Sequence, residues 1–192
     1  MNDDIMHFDN LLPKGYANQL LADITNFRFP WTYVSDVTYE HEDNNPGFAH
    51  ASFDAINNVY SDYLPFFKPM IYSMEEASGK TINQLLRIRV GMLLNMGRDI
   101  PNSPHIDFVM PHYTCCYYVN DSDGDTIVYD QRMTPGETSE ETKTFSENNK
   151  FTIADRGPPV FNSACFFDGT RYHASSYPRV HNKRIVITVN YQ

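Results

Sequence analysis

The chain contains seven histidines, and three of them open a His-x-Asp triplet: His7-Phe-Asp9, His41-Glu-Asp43 and His105-Ile-Asp107. Side chains two residues apart on a strand point the same way. Such a triplet can therefore offer an imidazole and a carboxylate to one metal ion. Three occurrences in one chain make the spacing weak by itself. His7-Phe-Asp9 lies ahead of the first helical pattern, and His41-Glu-Asp43 lies in a polar turn where nothing fixes the geometry. His105-Ile-Asp107 instead opens a strand-rich stretch and is followed by an apolar run. Far downstream, His173 follows the apolar run of ACFFDGTRYHASS, and Arg184 opens RIVITVNY.

Two neutral imidazoles and one carboxylate can cap one face of an octahedral metal and leave three positions open, the arrangement expected of non-haem Fe(II) oxygenases. An arginine on an adjacent strand can grip a distant carboxylate with its planar fork. The bland alternative for His105 and Asp107 is a surface pair at a strand end. His112 and His181 have no partner at ligand spacing and read as loop or rim residues, although His112 follows the metal strand closely enough to touch a substrate. Arg87 and Arg89 share a strand face. A solvated face is the favoured reading, with a reach toward a substrate carboxylate as the alternative. Met92 and Met96 read as core filler, with Met96 a candidate pocket residue. Tyr117 faces opposite to Tyr118 and belongs to the core.

These residues need a scaffold. Residues 13–27 carry Tyr16, Leu20, Ile24 and Phe27 at helical spacing, with Pro13 suited to a first turn. Residues 31–39 read as a strand, 41–47 as a polar turn. Helices are expected over 52–63 and 68–78, broken around Pro65 and ended by Gly79. Beyond residue 84 the texture becomes short strands: 84–96, 105–108, 113–120, 126–130, 143–145, 150–153, 159–166 and 184–191, punctuated by NDSDGD, DRGPP and FDGT. That pattern predicts a double-sheet jelly roll or barrel. The polar stretch 132–150 predicts a weakly held surface insertion or hairpin.

Composition sets the outer limits. The 192 residues suffice for one domain with a full core. The aromatic fraction of 14% favours a β-rich interior over disorder. The net charge of −9 makes nucleic-acid binding unlikely. The acidic N-terminus lacks the basic region of a signal peptide, and no apolar run has membrane-spanning length, so a cytoplasmic protein is expected. The three cysteines read as buried reduced thiols. Between Gly169 and Gln192 there is no acidic residue, but Arg171, Arg179, Lys183 and Arg184 make a local positive field suited to an anion.

The order His-x-Asp, distant His, then Arg at a strand start resembles the 2-oxoglutarate/Fe(II)-dependent dioxygenases, most nearly their prolyl 4-hydroxylase-like branch. Thr114-Cys-Cys-Tyr-Tyr-Val-Asn120 looks like the family strand T-C-x-Y-Y-L-N, and Arg184-Ile-Val-Ile-Thr-Val-Asn-Tyr191 looks like its final strand R-x-x-I-T-V-x-Y. The resemblance covers roughly residues 84–192. It implies a mainly β fold with flanking helices, in which residues 84–192 form a double-stranded β-helix (jelly-roll) core. Residues 1–83 then provide mostly helical support packed on the major sheet, within one domain of 1–192. It further implies that His105, Asp107 and His173 hold Fe(II). Arg184 and Tyr118, with Thr188 on the same face, bind the far carboxylate of 2-oxoglutarate. O2 is the co-reactant and ascorbate a compatible reductant.

Where the sequence departs from the family pattern, Val186 stands two residues after Arg184 in place of a serine that some members use. Lys183 is a competing anchor, since some members use lysine. Strand alternation allows only one of the two to point inward, and the motif favours Arg184. Asp107 argues for hydroxylation, because family halogenases carry a small residue there. The resemblance suggests a peptidyl proline or another amino-acid-like substrate, small molecule or peptide, with 39–50 and 131–150 as candidate lids. It leaves the oligomeric state open. The competing readings are a non-catalytic jelly-roll binding or structural module, and a cupin dioxygenase, whose His-x-His start is absent here.

Overall fold

A computed structural model describes residues 4–39 and 45–192 of the chain. In chain order the elements are β1 (Ile5–Phe8), α1 (Lys14–Ile24), β2 (Thr32–Val34), β3 (Gly47–Asp54), β4 (Val59–Tyr60), α2 (Leu64–Ser78), β5 (Leu85–Leu94), β6 (Tyr113–Tyr118), β7 (Thr126–Arg132), α3 (Ser139–Asn148), β8 (Ile153–Gly157), β9 (Ala164–Asp168), β10 (Arg171–Ser175) and β11 (Lys183–Tyr191). The major sheet runs β1-β9-β6-β11-β5-β3-β2, with β4 paired to β3, and the minor sheet runs β10-β7-β8. Every pair is antiparallel. A bridge between His105 and His173 adds a short extended segment to the free edge of β10. The result is a mainly β jelly roll with flanking helices.

The period-two pattern of the central strand decides what each face does. On β11, Ile185, Ile187, Val189 and Tyr191 face one side and enter a core with Leu20 and Ile24 of α1 and Phe67, Met70 and Met74 of α2. The two helices therefore cover the outer face of the major sheet. Its inner face carries Cys116, Tyr118, Cys165, Phe167 and Val186, which meet Val128 of β7. The outer face of the minor sheet presents Ile127, Tyr129, Tyr172 and Ala174, and these pack against Phe145 of α3 and Phe151. All three cysteines are buried free thiols. No helix among the described residues is long and apolar enough to cross a membrane.

Several local expectations are corrected. Residues 52–63 are not helical: they finish β3, turn and form β4, because the chain pairs with β5 and extends the major sheet. The helix expected to break at Pro65 begins at Leu64, runs through Pro69 and stops at Gly79, whose φ of 64° suits a residue without Cβ. Only Thr32–Val34 of the expected 31–39 strand is extended. Residues 105–108 make one bridge rather than a strand.

The stretch 132–150 is not a loose insertion. Residues 143–145 lie inside α3, which opens on a capping box: Thr138 N–H donates to Glu141 Oε2 at 2.8 Å, and Glu141 N–H donates back to Thr138 Oγ1 at 3.3 Å. One aromatic residue anchors the helix. The Phe145 ring stacks on Tyr172 with centroids 5.3 Å apart.

Candidate metal centre

Register across β5, β11 and β6 builds the inner face of the major sheet in rungs, and part of that face floors a cavity. Arg87 and Thr114 flank Asn190, Arg89 and Cys116 flank Thr188, Gly91 and Tyr118 flank Val186, and Leu93 sits beside Arg184. The minor sheet supplies the opposite wall through Thr126, His173 and Ser175, and Val37 and Phe48 close one side. His105, Asp107, His173, Arg184 and Thr188 all line this one cavity.

His105, Asp107 and His173 place one ligand atom each within 4.8 Å of the others, the only such group among the described residues. His105 Nε2 lies 3.9 Å from Asp107 Oδ1, and His173 Nε2 lies 3.6 Å from Asp107 Oδ2. The other ring nitrogens face carbonyls, His105 Nδ1 toward Ser103 O and His173 Nδ1 toward Arg171 O, each at 3.3 Å. A carbonyl can only accept, so Nδ1 carries the proton in both rings and the unprotonated Nε2 atoms lie beside the carboxylate, free to share a cation with it. The mutual bridge between His105 and His173, with N–O distances of 2.9 and 3.0 Å, fixes the backbone beneath them.

The electrostatics match this tautomer. Burial, aided by the neighbouring His173, holds His105 down to about 3. Burial also lowers His173. For Asp107, burial acts upward, but Arg87 and the two imidazoles outweigh it and keep the carboxyl well below its usual range. Neutral imidazoles beside an ionised carboxylate are the protonation state that a divalent cation needs.

Asp107 is held by residues whose part in the site the sequence reading did not identify. Arg87 pairs with its Oδ1, and Asn190 Nδ2 donates to its Oδ2 at 2.8 Å. Arg87 Nε also donates to Asn190 Oδ1 at 3.1 Å. The signal for Asn190 lay in the alternation Arg184, Val186, Thr188, Asn190. The expectation that Arg87 and Arg89 form a solvated face is corrected: both point into the cavity, because the face they occupy is the inner one.

Arg184 lies at the other end of the floor, 6% exposed. Its Nη2 donates to Thr126 Oγ1 at 2.7 Å, and its guanidinium lies 5.9 Å from the centre of the Tyr118 ring. Its Nε is buried without a partner, and among the described residues no carboxylate reaches it. Lys183 is on the helix-facing side of the strand and is absent from the cavity wall.

Tyr118 departs from what the resemblance implies. Its hydroxyl donates to Gly157 O at 2.9 Å, and the residue does not line the cavity. Gly157 permits this: a Cβ there would collide with the phenol oxygen.

The remaining candidates separate cleanly. His112 is no rim residue; it is buried, with Nδ1 on Met110 O at 2.8 Å and its ring packed on Gly169. His181 sits in an exposed loop against Asp123. His7 pairs with Asp155 of β8 at 2.9 Å. Met96 is exposed, while Met92 reaches the cavity edge. His41 and Asp43, and part of the lid expected over 39–50, lie outside the described residues.

The donor set fits a divalent metal, and the orphaned nitrogen of buried Arg184 fits an anion in the same cavity.

No family model matches the chain, and no curated protein matches it in sequence. Solved structures do match in fold. The α-ketoglutarate-dependent epimerase SnoN from nogalamycin biosynthesis superposes with a TM-score of 0.66 at 15% identity, over 99% of this chain and 78% of that one. An oxidoreductase of the 2OG-Fe(II) oxygenase family from Burkholderia pseudomallei gives 0.65 at 11% identity, over 100% and 86%. A prolyl hydroxylase from Trichoplax adhaerens, in complex with a hypoxia-inducible-factor peptide, gives 0.61 at 14% identity, over 99% and 84%. At such identities the likeness is one of fold.

Proposed function

We propose that this chain is an Fe(II)- and 2-oxoglutarate-dependent oxygenase of hydroxylase type. Its expected substrate is a peptidyl proline or another amino-acid-like molecule. The observation that carries the reading is a two-histidine, one-carboxylate cluster in the same cavity as a buried arginine whose Nε has no hydrogen-bond partner. The matched folds include epimerase, carbocyclase and prolyl hydroxylase structures, so the fold tolerates several outcomes at one kind of centre. Asp107 keeps a carboxylate at the position where a halogenase would need space, which favours hydroxylation.

His105, His173 and Asp107 would hold Fe(II) on one face and leave the facing positions free. Arg184 would fix the distal carboxylate of 2-oxoglutarate, with Thr188 beside it and the Tyr118 ring supporting the guanidinium. When bound, iron and 2-oxoglutarate supply O2 activation for attack on an unactivated C–H bond, with release of succinate and CO2. The protein contributes placement. Arg87 and Asn190 orient Asp107, the carbonyls of Ser103 and Arg171 orient the imidazoles, and the apolar flank of the cavity limits water. Ascorbate would serve as an external reductant.

The test combines binding and turnover. The wild-type protein should bind Mn(II) with about 1:1 stoichiometry and release succinate from 2-oxoglutarate with Fe(II), O2 and ascorbate, most strongly when a screen of peptides and amino acids includes the substrate. His105→Ala and His173→Ala should lose both properties while keeping the wild-type circular dichroism. Undiminished succinate release by either variant overturns the assignment.

A further inference from the structure

We infer that the cavity contains a second anion position built on Arg89, and that the substrate of this site carries a carboxylate. The inference rests on the oxygenase reading above and narrows it to a substrate class. Three arginines line the cavity: Arg87, Arg89 and Arg184. Arg87 is committed to Asp107 and Asn190. Arg184 turns toward β6 and β7, where it meets Tyr118 and Thr126. Arg89 stands one rung away from Arg87 and turns the opposite way, over β3. Among the described residues its single hydrogen-bond contact is Nη1 to the Val37 carbonyl at 3.5 Å, longer than a good N–H···O bond. No carboxylate among the described residues lies within ion-pair distance of it.

One cosubstrate cannot satisfy both arginines. A 2-oxoglutarate that chelates at the histidine–aspartate cluster and reaches Arg184 has both of its carboxylates engaged. Arg89 lines the same cavity and reaches toward Val37, which leaves it for a second ligand. Burial lowers Arg89 only to about 10, so it remains a cation at neutral pH. A half-buried cation with no carboxylate beside it among the described residues is poorly compensated, and an entering carboxylate relieves it. Val37 and Phe48 wall this side of the cavity, and Gly91 leaves its floor open. A carboxylate attached to an aliphatic body fits such a place: a free amino acid, an N-acylated amino acid or the C-terminal residue of a peptide. A proline in the middle of a chain has no carboxylate to offer there.

The experiment uses full-length protein loaded with Mn(II) and 2-oxoglutarate. It titrates a panel of free and N-acetyl amino acids and the primary amides of the same compounds, with binding read by calorimetry. At least one acid should bind at least about 10-fold more tightly than its amide. Arg89→Gln should weaken that acid about 30-fold or more, and Arg89→Lys should recover part of the loss, because a point charge keeps the attraction without the fork. The affinity of each variant for 2-oxoglutarate is measured in parallel without any panel compound. Three results overturn the inference: amides bind as well as acids, no acid in the panel binds, or Arg89→Gln weakens 2-oxoglutarate by the factor expected for the acid. If the wild-type protein binds neither Mn(II) nor 2-oxoglutarate, the oxygenase reading itself falls. The Arg89 result alone removes only the substrate class.

Discussion

Asn190 joins Asp107 to the floor of the major sheet. Its amide nitrogen donates to Asp107 Oδ2 at 2.8 Å and to Thr114 Oγ1 at 3.0 Å, while its oxygen accepts from Arg87 Nε at 3.1 Å. Every polar atom of the amide is engaged, so the side chain has one orientation, and that orientation aims the carboxylate at the two imidazoles. A residue of this kind acts through the ligand it holds. Asn190→Ala should weaken Mn(II) binding about 10- to 100-fold. Asn190→Ser, which keeps one donor, should recover part of the affinity. Isothermal titration alongside thermal unfolding separates this from a general loss of fold. Equal metal affinity in wild type and Asn190→Ala would show that Arg87 alone suffices to orient Asp107.

The buried imidazoles make the metal-free protein sensitive to acid. His105 titrates near 3 in the folded protein, whereas an unfolded histidine takes its proton near pH 6.5. Between those values the unfolded chain binds more protons, so stability falls as pH falls through that window. Asp107, held low, acts in the same direction over a lower pH range. Its stabilisation is complete above the usual carboxylate range and disappears only in strong acid. Chelator-treated protein should lose on the order of 2 kcal/mol between pH 7 and pH 4.5 through His105. Denaturant unfolding at several pH values checks this, and His105→Gln should flatten the slope. A parallel slope in that variant would locate the acid sensitivity elsewhere.

Arg184 and Lys183 are neighbours on one strand, so alternation gives them opposite faces, and Arg184 takes the cavity. Loss of its fork from a buried contact should cost roughly 2–5 kcal/mol of cosubstrate binding, about 30-fold at the least. Arg184→Met should raise the 2-oxoglutarate requirement accordingly with Mn(II) binding retained, and Lys183→Met should change it little. Tyr118→Phe should leave the requirement within about 3-fold, because the hydroxyl serves Gly157. It should instead lower stability by about 1 kcal/mol for the lost buried hydrogen bond. Comparing 2-oxoglutarate titrations with unfolding curves for the three variants tests both roles.

Helix α3 meets the minor sheet through the Phe145 ring and through its Thr142 carbonyl, which accepts from the Tyr172 hydroxyl. Phe145 packs on Tyr172 and Phe151, and Thr138 caps the first turn. Phe145→Ala should destabilise the protein by about 2 kcal/mol, less than a fully buried phenylalanine would, and Thr138→Ala by about 1 kcal/mol. Amide exchange should then accelerate across 139–148 before it does so in β11. Uniform acceleration in both regions would mean that the helix and the sheets unfold together.

What the sequence determined by itself was local and chemical. His105-Ile-Asp107 had ligand spacing, and His173 supplied the third donor. The two-residue period of 184–191 placed Arg184, Val186, Thr188 and Asn190 on one face without reference to any other strand, since alternation is a property of the extended backbone. The aromatic and β-branched texture beyond residue 84 carried the jelly roll.

Other features depended on partners distant in the chain. Residues 52–63 have helix-compatible composition, and edge pairing with β5 made them a strand and hairpin. Residues 139–148 of the polar stretch form a helix that packs where the outer face of the minor sheet offers Tyr172 to Phe145. Arg87 and Arg89 looked like a solvated stripe until the two sheets enclosed them. The Tyr118 hydroxyl turned to β8 because Gly157 has no Cβ to exclude it. Hydrogen bonds such as Asn190 to Asp107 join residues 83 positions apart. Only the register of β11 between β5 and β6 brings them within reach, and register is fixed by the summed packing of both faces, which no local segment contains.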